Sequence, residues 1–374
     1  MGHDDHTPTW QQYCPIPIAP DDEHITLAHG EGGRLMRNLI RERIFASFRN
    51  EVLQSMDDAA RLPGIKGDVA MTTDSFVVSP LLFPSGDIGS LAVYGTVNDL
   101  AVSGAVPLYL TFSLIVEEGL PLAVLDRVLA SAASAAARAN VQIVGGDTKV
   151  VPHGAADGLF INTTGVGQLV EPVLPGPSAL REGDALLVSG PIGRHGIAVL
   201  CAREELGLEP PPQSDTAPVV DACQLFRERL GLRVRAMRDA TRGGVAAVLH
   251  EWAEAANLTL TVFADKVPVS PEVNGACELL GLDALHIANE GTMVIAVENS
   301  SAQEAVDVLQ TLPLAVQAAQ FGTVTARQLA PVTIHRTLGS AQPLDAPRRA
   351  AASNLLAVTG SRLSGLPLST RRYV

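Results

Sequence analysis

The chain has 374 residues and carries 27 basic against 40 acidic side chains, a net charge of −13. Only three of the basic residues are lysines (Lys66, Lys149 and Lys266), so the clustered positive charge of a general nucleic-acid or anionic-membrane surface is missing. With 47 % hydrophobic and 18 % charged residues the composition is globular, and the length suits about two domains of roughly 100–200 residues. The four cysteines, Cys14, Cys201, Cys223 and Cys277, stand too far apart for a C-x-x-C zinc or redox motif and are expected to be reduced, buried thiols. The N-terminus MGHDDHTPTW is polar and acidic, unlike a secretory signal. The long uncharged runs 100–116 and 308–326 contain Gly, Pro or Gln and read as core, not membrane spans. A cytoplasmic protein with no nucleic-acid or membrane partner is the expectation.

Residues 1–24 read as an N-terminal extension, rich in Pro and Asp. Helical periodicity follows over 35–56, with Leu35, Leu39, Ile40, Ile44 and Phe45 on one face. Strand-like runs come next at 69–72, 76–78, 108–116, 141–144 and 159–164, with helical spacing over 89–103 and 121–140 between them. The stretch EPVLPGPS at 171–178 marks a domain boundary, dividing an N-terminal domain, 25–170, from a C-terminal one, 171–340. The second half offers strands at 185–189, 258–262, 292–297 and 320–324, and helices around 197–206, 219–230, 244–256 and 302–311. Mixed strands and helices in both halves predict two α/β or α+β domains. The segment 343–374 holds five arginines and one acidic residue, and reads as a basic tail.

No G-x-x-x-x-G-K-[ST] and no G-x-G-x-x-G occurs, so Walker-type and Rossmann-type phosphate sites are unsupported. Instead, short segments place glycine and acid together at the ends of apolar runs: HGEGG at 29–33, TTDS at 72–75, TVND at 96–99, GGDTK at 145–149, RDATRGG at 238–244 and ANEG at 288–291. Each alone is most simply a turn. Together they supply four aspartates, Asp74, Asp99, Asp147 and Asp239, which would need divalent metal between them if the fold gathered them in one cleft. Oxygen-only ligands favour Mg²⁺, Mn²⁺ or Ca²⁺, and Mg²⁺ characteristically combines one or two carboxylates with phosphate oxygens. Gly30, Gly32, Gly33, Gly145 and Gly146 would let backbone N–H groups approach a phosphate, and Arg242 opens the helical run 244–256 near the same anion.

In this order the segments LAHGEGG, MTTDSFVVSP, GDIGSLAVYGTVNDLAVSGA, GGDTKVV, TTGVG, MRDATRGG and GLDALHIANEG closely resemble the HypE family of hydrogenase-maturation proteins. That family belongs to the superfamily of aminoimidazole ribonucleotide synthetase, selenophosphate synthetase and thiamine-monophosphate kinase, and the resemblance covers about 25–338. It implies a two-domain aminoimidazole ribonucleotide synthetase-like fold, pairing of two protomers through their N-terminal sheets, and ATP near the resulting interface. The implied reaction is ATP-dependent dehydration of a cysteine-borne thiocarboxamide to a thiocyanate, with the carbamoyl group delivered by HypF. The cyano group then passes to the iron held by the HypC–HypD complex. By motif, the resemblance implies that Asp74, Asp99, Asp147 and Asp239 hold Mg²⁺ on the ATP phosphates. It further implies that Asn98, Thr148 and the 29–33 and 145–146 glycines shape the nucleotide site. Glu290 and Lys149 are the candidates for the base and the oxyanion-stabilising cation that dehydration requires. His29 and His195 are weighed as phosphate or site groups against structural roles, and Trp252 against core packing.

One departure stands out. The family places its reacting cysteine at the very end of the chain, after a Pro-Arg pair, whereas here LDAPRR at 344–349 continues to Val374 and no cysteine follows Cys277. This leaves three readings: a HypE-type enzyme whose carrier thiol lies elsewhere, an ATP-dependent small-molecule kinase or synthetase of the same superfamily, or a non-catalytic docking scaffold.

Overall fold

Along Val69–Phe76 every second residue is exposed, the period of a strand with one free face, and this is β1 of the computed structural model, which describes residues 23–54, 59–63, 65–336 and 340–347. Cys14 and the tail beyond Pro347 lie outside the described residues. β1 is one strand where the sequence suggests two. The polar stretch Thr73–Ser75 stays in the ladder because β7 (Leu159–Leu169) pairs with it along its whole length. β7 also runs past the expected Thr164, since Gly165 and Gly167 leave room where Cβ atoms would meet Thr96, Leu100 and Val106 at 2.7–2.9 Å.

The small hairpin of β2 (Leu82–Phe83) and β3 (Gly86–Asp87) leads to β4 (Ala105–Glu117), β5 (Gln142–Gly145) and β6 (Thr148–Val151). The N-terminal sheet has the order β1-β7-β4-β5, with β6 pairing parallel to β4 beyond β5. Helices cover one face. The expected helix 35–56 is interrupted: α1 (Arg34–Leu39) runs into a π-helical turn (Ile40–Phe45) and a short α2 (Ala46–Phe48), and a new turn, α3 (Glu51–Gln54), follows. The break comes at Asn50, whose side chain accepts from Leu53 N–H and donates to Ile143 O on β5.

Nearly every residue of α4 (Ile88–Val102) is buried, including Thr96 and Asn98. A helix apolar on all sides must be enclosed. It lies on β1, β4 and β7, beside α5 (Leu122–Arg138), and its outer side meets the second domain through α7 (Val220–Arg229) and β9 (Val234–Asp239). Asp87 caps it by accepting from Gly89 and Ser90 N–H at 2.8 and 3.0 Å. Asn98 spends its whole amide on the domain junction: Nδ2 donates to Ala217 O and Glu290 O, and Oδ1 accepts from Val219 N–H.

The C-terminal domain is a seven-stranded sheet in the order β14-β13-β10-β12-β8-β11-β9. Its strands are β8 (Ala185–Val188), β9, β10 (Thr259–Phe263), β11 (Met293–Val297), β12 (Ala319–Thr325), β13 (Val332–His335) and β14 (Gln342–Pro343). Its helices are α6 (Arg194–Arg203), α7, α8 (Gly244–Ala256), α9 (Pro271–Leu280) and α10 (Ala302–Gln310). Trp252 on α8 is fully packed into the core, as its apolar neighbours suggest. Among the described residues no helix is long and apolar enough to cross a membrane.

The domains also meet at His195, in the first turn of α6, whose ring stands edge-on to Phe83 at 5.4 Å and bonds through Nδ1 to Ser214 Oγ at 3.0 Å. Burial pushes its pKa down to about 4 against the opposing pull of Asp215. The imidazole is therefore neutral in the folded chain at about pH 5, whereas the unfolded chain takes up a proton below about pH 6.5. Stability from this group is lost as pH falls from about 6.5 toward 4, by about 2–3 kcal/mol. Denaturant unfolding of wild type and H195Q across that range should show a smaller acid loss in the variant, and parallel curves would contradict the assignment.

Candidate active site

Three of the four sequence-singled aspartates line one cleft of about 200 Å³ between the domains: Asp74, Asp99 and Asp239, together with Glu290, Arg242 and His195. Asp74 lies on the helix-facing side of β1, in step with Thr72 and Phe76. Asp99 projects from α4 and accepts a hydrogen bond from Thr72 Oγ1 at 3.0 Å. Asp239 ends β9, is 6 % exposed and pairs with Met293 of β11, three residues after Glu290. Gly95 makes room for this assembly. A Cβ there would meet the Phe76 ring at 2.8 Å, and Glu290 Oε2 lies 3.9 Å from the same point.

The electrostatics of the cleft are unbalanced. Burial, then the charges of Asp99 and Asp74, raises the pKa of Asp239 to about 7. Glu290 is raised well above the usual carboxylate range by burial and by Asp239, Asp215, Asp74 and Asp99 in turn. Asp99 is raised too, chiefly by burial, against its bond from Thr72. The largely exposed Arg242 comes no nearer than 3.9 Å to Asp74. An all-oxygen donor set short of positive charge suits a hard divalent cation. Among the described residues no three His, Cys, Asp or Glu side chains already stand at metal-cage spacing.

Asp147 stands elsewhere. With Gly145, Gly146 and Thr148 it borders a second cavity of about 170 Å³, otherwise walled by apolar side chains of α1, the π turn, α2, α3 and the sheet. Asp147 and Lys149 form an ion pair at 2.7 Å, and this bond holds the Asp147 carboxyl below its ordinary range. Gly146 must be glycine, since a Cβ would lie 2.0 Å from Phe112 O. From β1 to β6 the order is β1-β7-β4-β6, three strand spacings or about 14 Å. Lys149 pairs with the exposed Ile115 in register and so points to the face of the sheet that no helix covers. One chain therefore does not bring the four aspartates together, contrary to a single-cleft arrangement.

The 29–33 segment joins this second group. Gly30 packs against β6, where a Cβ would meet Val150 Cβ at 2.9 Å, whereas Gly32 and Gly33 border open space and Gly32 has a φ of +76°. His29 is buried, with Nδ1 bonded to Thr26 N–H and Oγ1 at 3.1 and 3.0 Å, so that nitrogen closes the turn Leu27–Gly30 rather than facing an anion. Asn98, expected at the nucleotide, has both amide hydrogens and its oxygen committed to backbone at the domain junction. Asp215 escaped the sequence reading altogether. It lies in a Pro-rich loop, and its only outward signal is the turn-forming Ser-Asp-Thr at 214–216.

Residues 56–169 match the family model of the AIR synthase related protein N-terminal domain, and residues 181–334 match that of its C-terminal domain. The carbamoyl dehydratase HypE of Escherichia coli (strain K12) is 47 % identical over 310 residues, which span 82 % of this chain and 92 % of that protein. A crystal structure of the hydrogenase maturation protein HypE in complex with ATP superposes with a TM-score of 0.83 at 40 % identity, covering 87 % of this chain and 98 % of that one. A HypE–HypF complex structure gives a TM-score of 0.73 at 43 % identity over 83 % of this chain and 99 % of that one. With both domain models matched in order and relatives this similar over most of its length, the chain belongs to the HypE family of carbamoyl dehydratases, on the fold of AIR synthase related proteins.

Proposed function

We propose that this chain is an ATP-dependent carbamoyl dehydratase of [NiFe]-hydrogenase maturation, converting a thiocarboxamide to a thiocyanate, and that it receives the carbamoyl group through HypF. The observation that carries this reading is the interdomain cleft in which Asp74 joins Asp99, Asp239 and Glu290, the last three with raised proton affinity, beside the largely exposed Arg242. Such a site attracts Mg²⁺-bound polyphosphate, and the relatives of known structure include a HypE with ATP and a HypE with HypF. Mg²⁺, when bound, would neutralise the phosphates against Asp74, Asp99 and Asp239. Transfer of the γ-phosphoryl group to the amide oxygen, with one of the two N–H protons released to water, would give an imidate whose oxygen is a leaving group. Glu290, as a carboxylate once the cation is in place, would take the remaining N–H proton as C≡N forms and phosphate departs, while Arg242 and Lys149 offset negative charge on the oxygen and the phosphate.

Each chain holds half of this machinery on either side of its N-terminal sheet. Val69, Met71 and Ile115 lie exposed on the uncovered face, where Lys149 also points. Pairing of two protomers through that face would bury this apolar surface and bring the Gly145–Lys149 and 29–33 segments of one copy to the acidic cleft of the other. The cyano group is then handed to the iron on HypC–HypD.

The three described cysteines are poorly suited to be the carrier thiol. Burial raises Cys201, raises Cys277 to about 11 and raises Cys223 further still, so each is disfavoured as a thiolate.

Asp239→Asn should weaken Mg-ATP binding at least about tenfold by calorimetry without altering the unfolding midpoint by more than a few degrees. Unchanged affinity would remove the metal assignment. The paired site makes a second demand. D74N and D147N should each lose ATP turnover, measured as ADP release with HypF and a carbamoyl donor. Remixing them through unfolding and refolding should recover about a quarter of wild-type activity, because half the dimers are mixed and each has one intact site. No recovery from refolded, dimeric mixtures would remove the site shared between two copies.

A further inference from the structure

The loop that carries Glu290 has its backbone held from two sides. Glu290 N–H donates to Asp215 Oδ1 and Gly291 N–H to Asp215 Oδ2, both at 3.1 Å, so one carboxylate takes two successive amides. On the other side Glu290 O accepts from Asn98 Nδ2 at 3.2 Å. Gly291 lies so close to residue 215 that a Cβ would meet Asp215 O at 1.9 Å, so no side chain can enter between the two strands of chain. Asp215 is itself anchored to both domains. Ser214 N–H donates to Pro84 O of the β2–β3 hairpin, and Ser214 Oγ bonds to His195 Nδ1 and Thr216 Oγ1.

We infer that Asp215 is a positioning residue for the dehydration step, holding the Glu290 carboxyl at the interdomain cleft by clamping its backbone, with Asn98 as the counter-clamp. The inference rests on the role proposed for Glu290. Asp215 does not itself line the cleft, yet it is 8 % exposed and directs both oxygens at the two amides flanking the cleft-lining side chain. A general base tolerates little misplacement, since a shift of about 1 Å can cost about a hundredfold in rate. A carboxylate is suited to this clamp because it offers two acceptors and no donor, whereas an asparagine would turn an NH₂ group toward one of the amides.

The test compares D215A, D215N and E290Q with wild type in Mg-ATP binding, in ADP release with HypF and a carbamoyl donor, and in amide exchange at 290–291. Loss of the clamp should lower kcat at least about tenfold in D215A while the KM for ATP stays within about twofold. D215N, which keeps one acceptor, should fall between D215A and wild type. Exchange at Glu290 and Gly291 should quicken in the same order, including at temperatures well below unfolding. A wild-type kcat in D215A, or a fall in kcat matched by equal losses of ATP affinity and melting temperature, would overturn the positioning role. E290Q separates the two claims. Wild-type turnover in E290Q removes the role of Glu290 and the inference with it, whereas an inactive E290Q beside a fully active D215A refutes Asp215 alone.

Discussion

The constraint on which this molecule turns is a set of carboxylates that two domains hold together out of water. Asp99 comes from the helix α4 of one domain, Asp239 and Glu290 from the ends of neighbouring strands of the other, and burial together with mutual repulsion raises all three. Nothing in this arrangement favours folding by itself. It persists because the surrounding contacts are strong: α4 is enclosed by the first sheet, by α5 and by α7, and Asn98 satisfies three backbone groups across the junction. The acidic cleft is thus carried at the expense of a well-packed seam, and a ligand that brings positive charge relieves it.

The geometry of strands explains why the acidic motifs divide into two groups. Side chains alternate between faces, so Asp74 on β1 looks toward α4 while Lys149 on β6 looks away from the helices. Three strand spacings separate them as well. The pairing of two copies proposed above would bring both groups to one polyphosphate, and the uncovered face it would use presents threonine hydroxyls and the exposed Val69, Met71 and Ile115. The same reasoning gives the glycines distinct tasks. Gly95 and Gly146 are required by close packing, whereas Gly32 and Gly33 border open space and remain available to a ligand.

Much of this was legible beforehand where a single physical signal dominates. Helices α4, α5, α8 and α10 and strands β4, β8 and β11 declare themselves by periodicity, and the order of the acidic motifs points to the HypE family. The misses have specific causes. β9 carries Arg235 and Arg238 among its apolar residues, and Arg235 is paired to Asp184 and Glu298 by contacts only the fold creates. The first helix is broken by a side chain that reaches a distant strand. Asn98 resembles a ligand contact because it is polar within an apolar helix, yet its partners lie more than a hundred residues away. Asp215 acts by accepting backbone N–H groups, and backbone partners leave no pattern in a sequence.

The thiols complete the logic of the site. An enzyme that activates a carbamoyl group on sulfur needs one thiol that is exposed and ionisable, and any competing thiol near the cleft would divert the group. Here Cys223 packs beneath the sheet beside Met293, and Cys277 and Cys201 sit in or against a small apolar cluster between α6 and α9. Their burial raises every one of them away from the thiolate form. These three thiols are thereby disfavoured as nucleophiles toward a carbamoyl group. Beside the cleft-lining Arg242, Pro347 packs so close to Gly243 at the α8 N-terminus that a Cβ there would meet its ring at 3.1 Å.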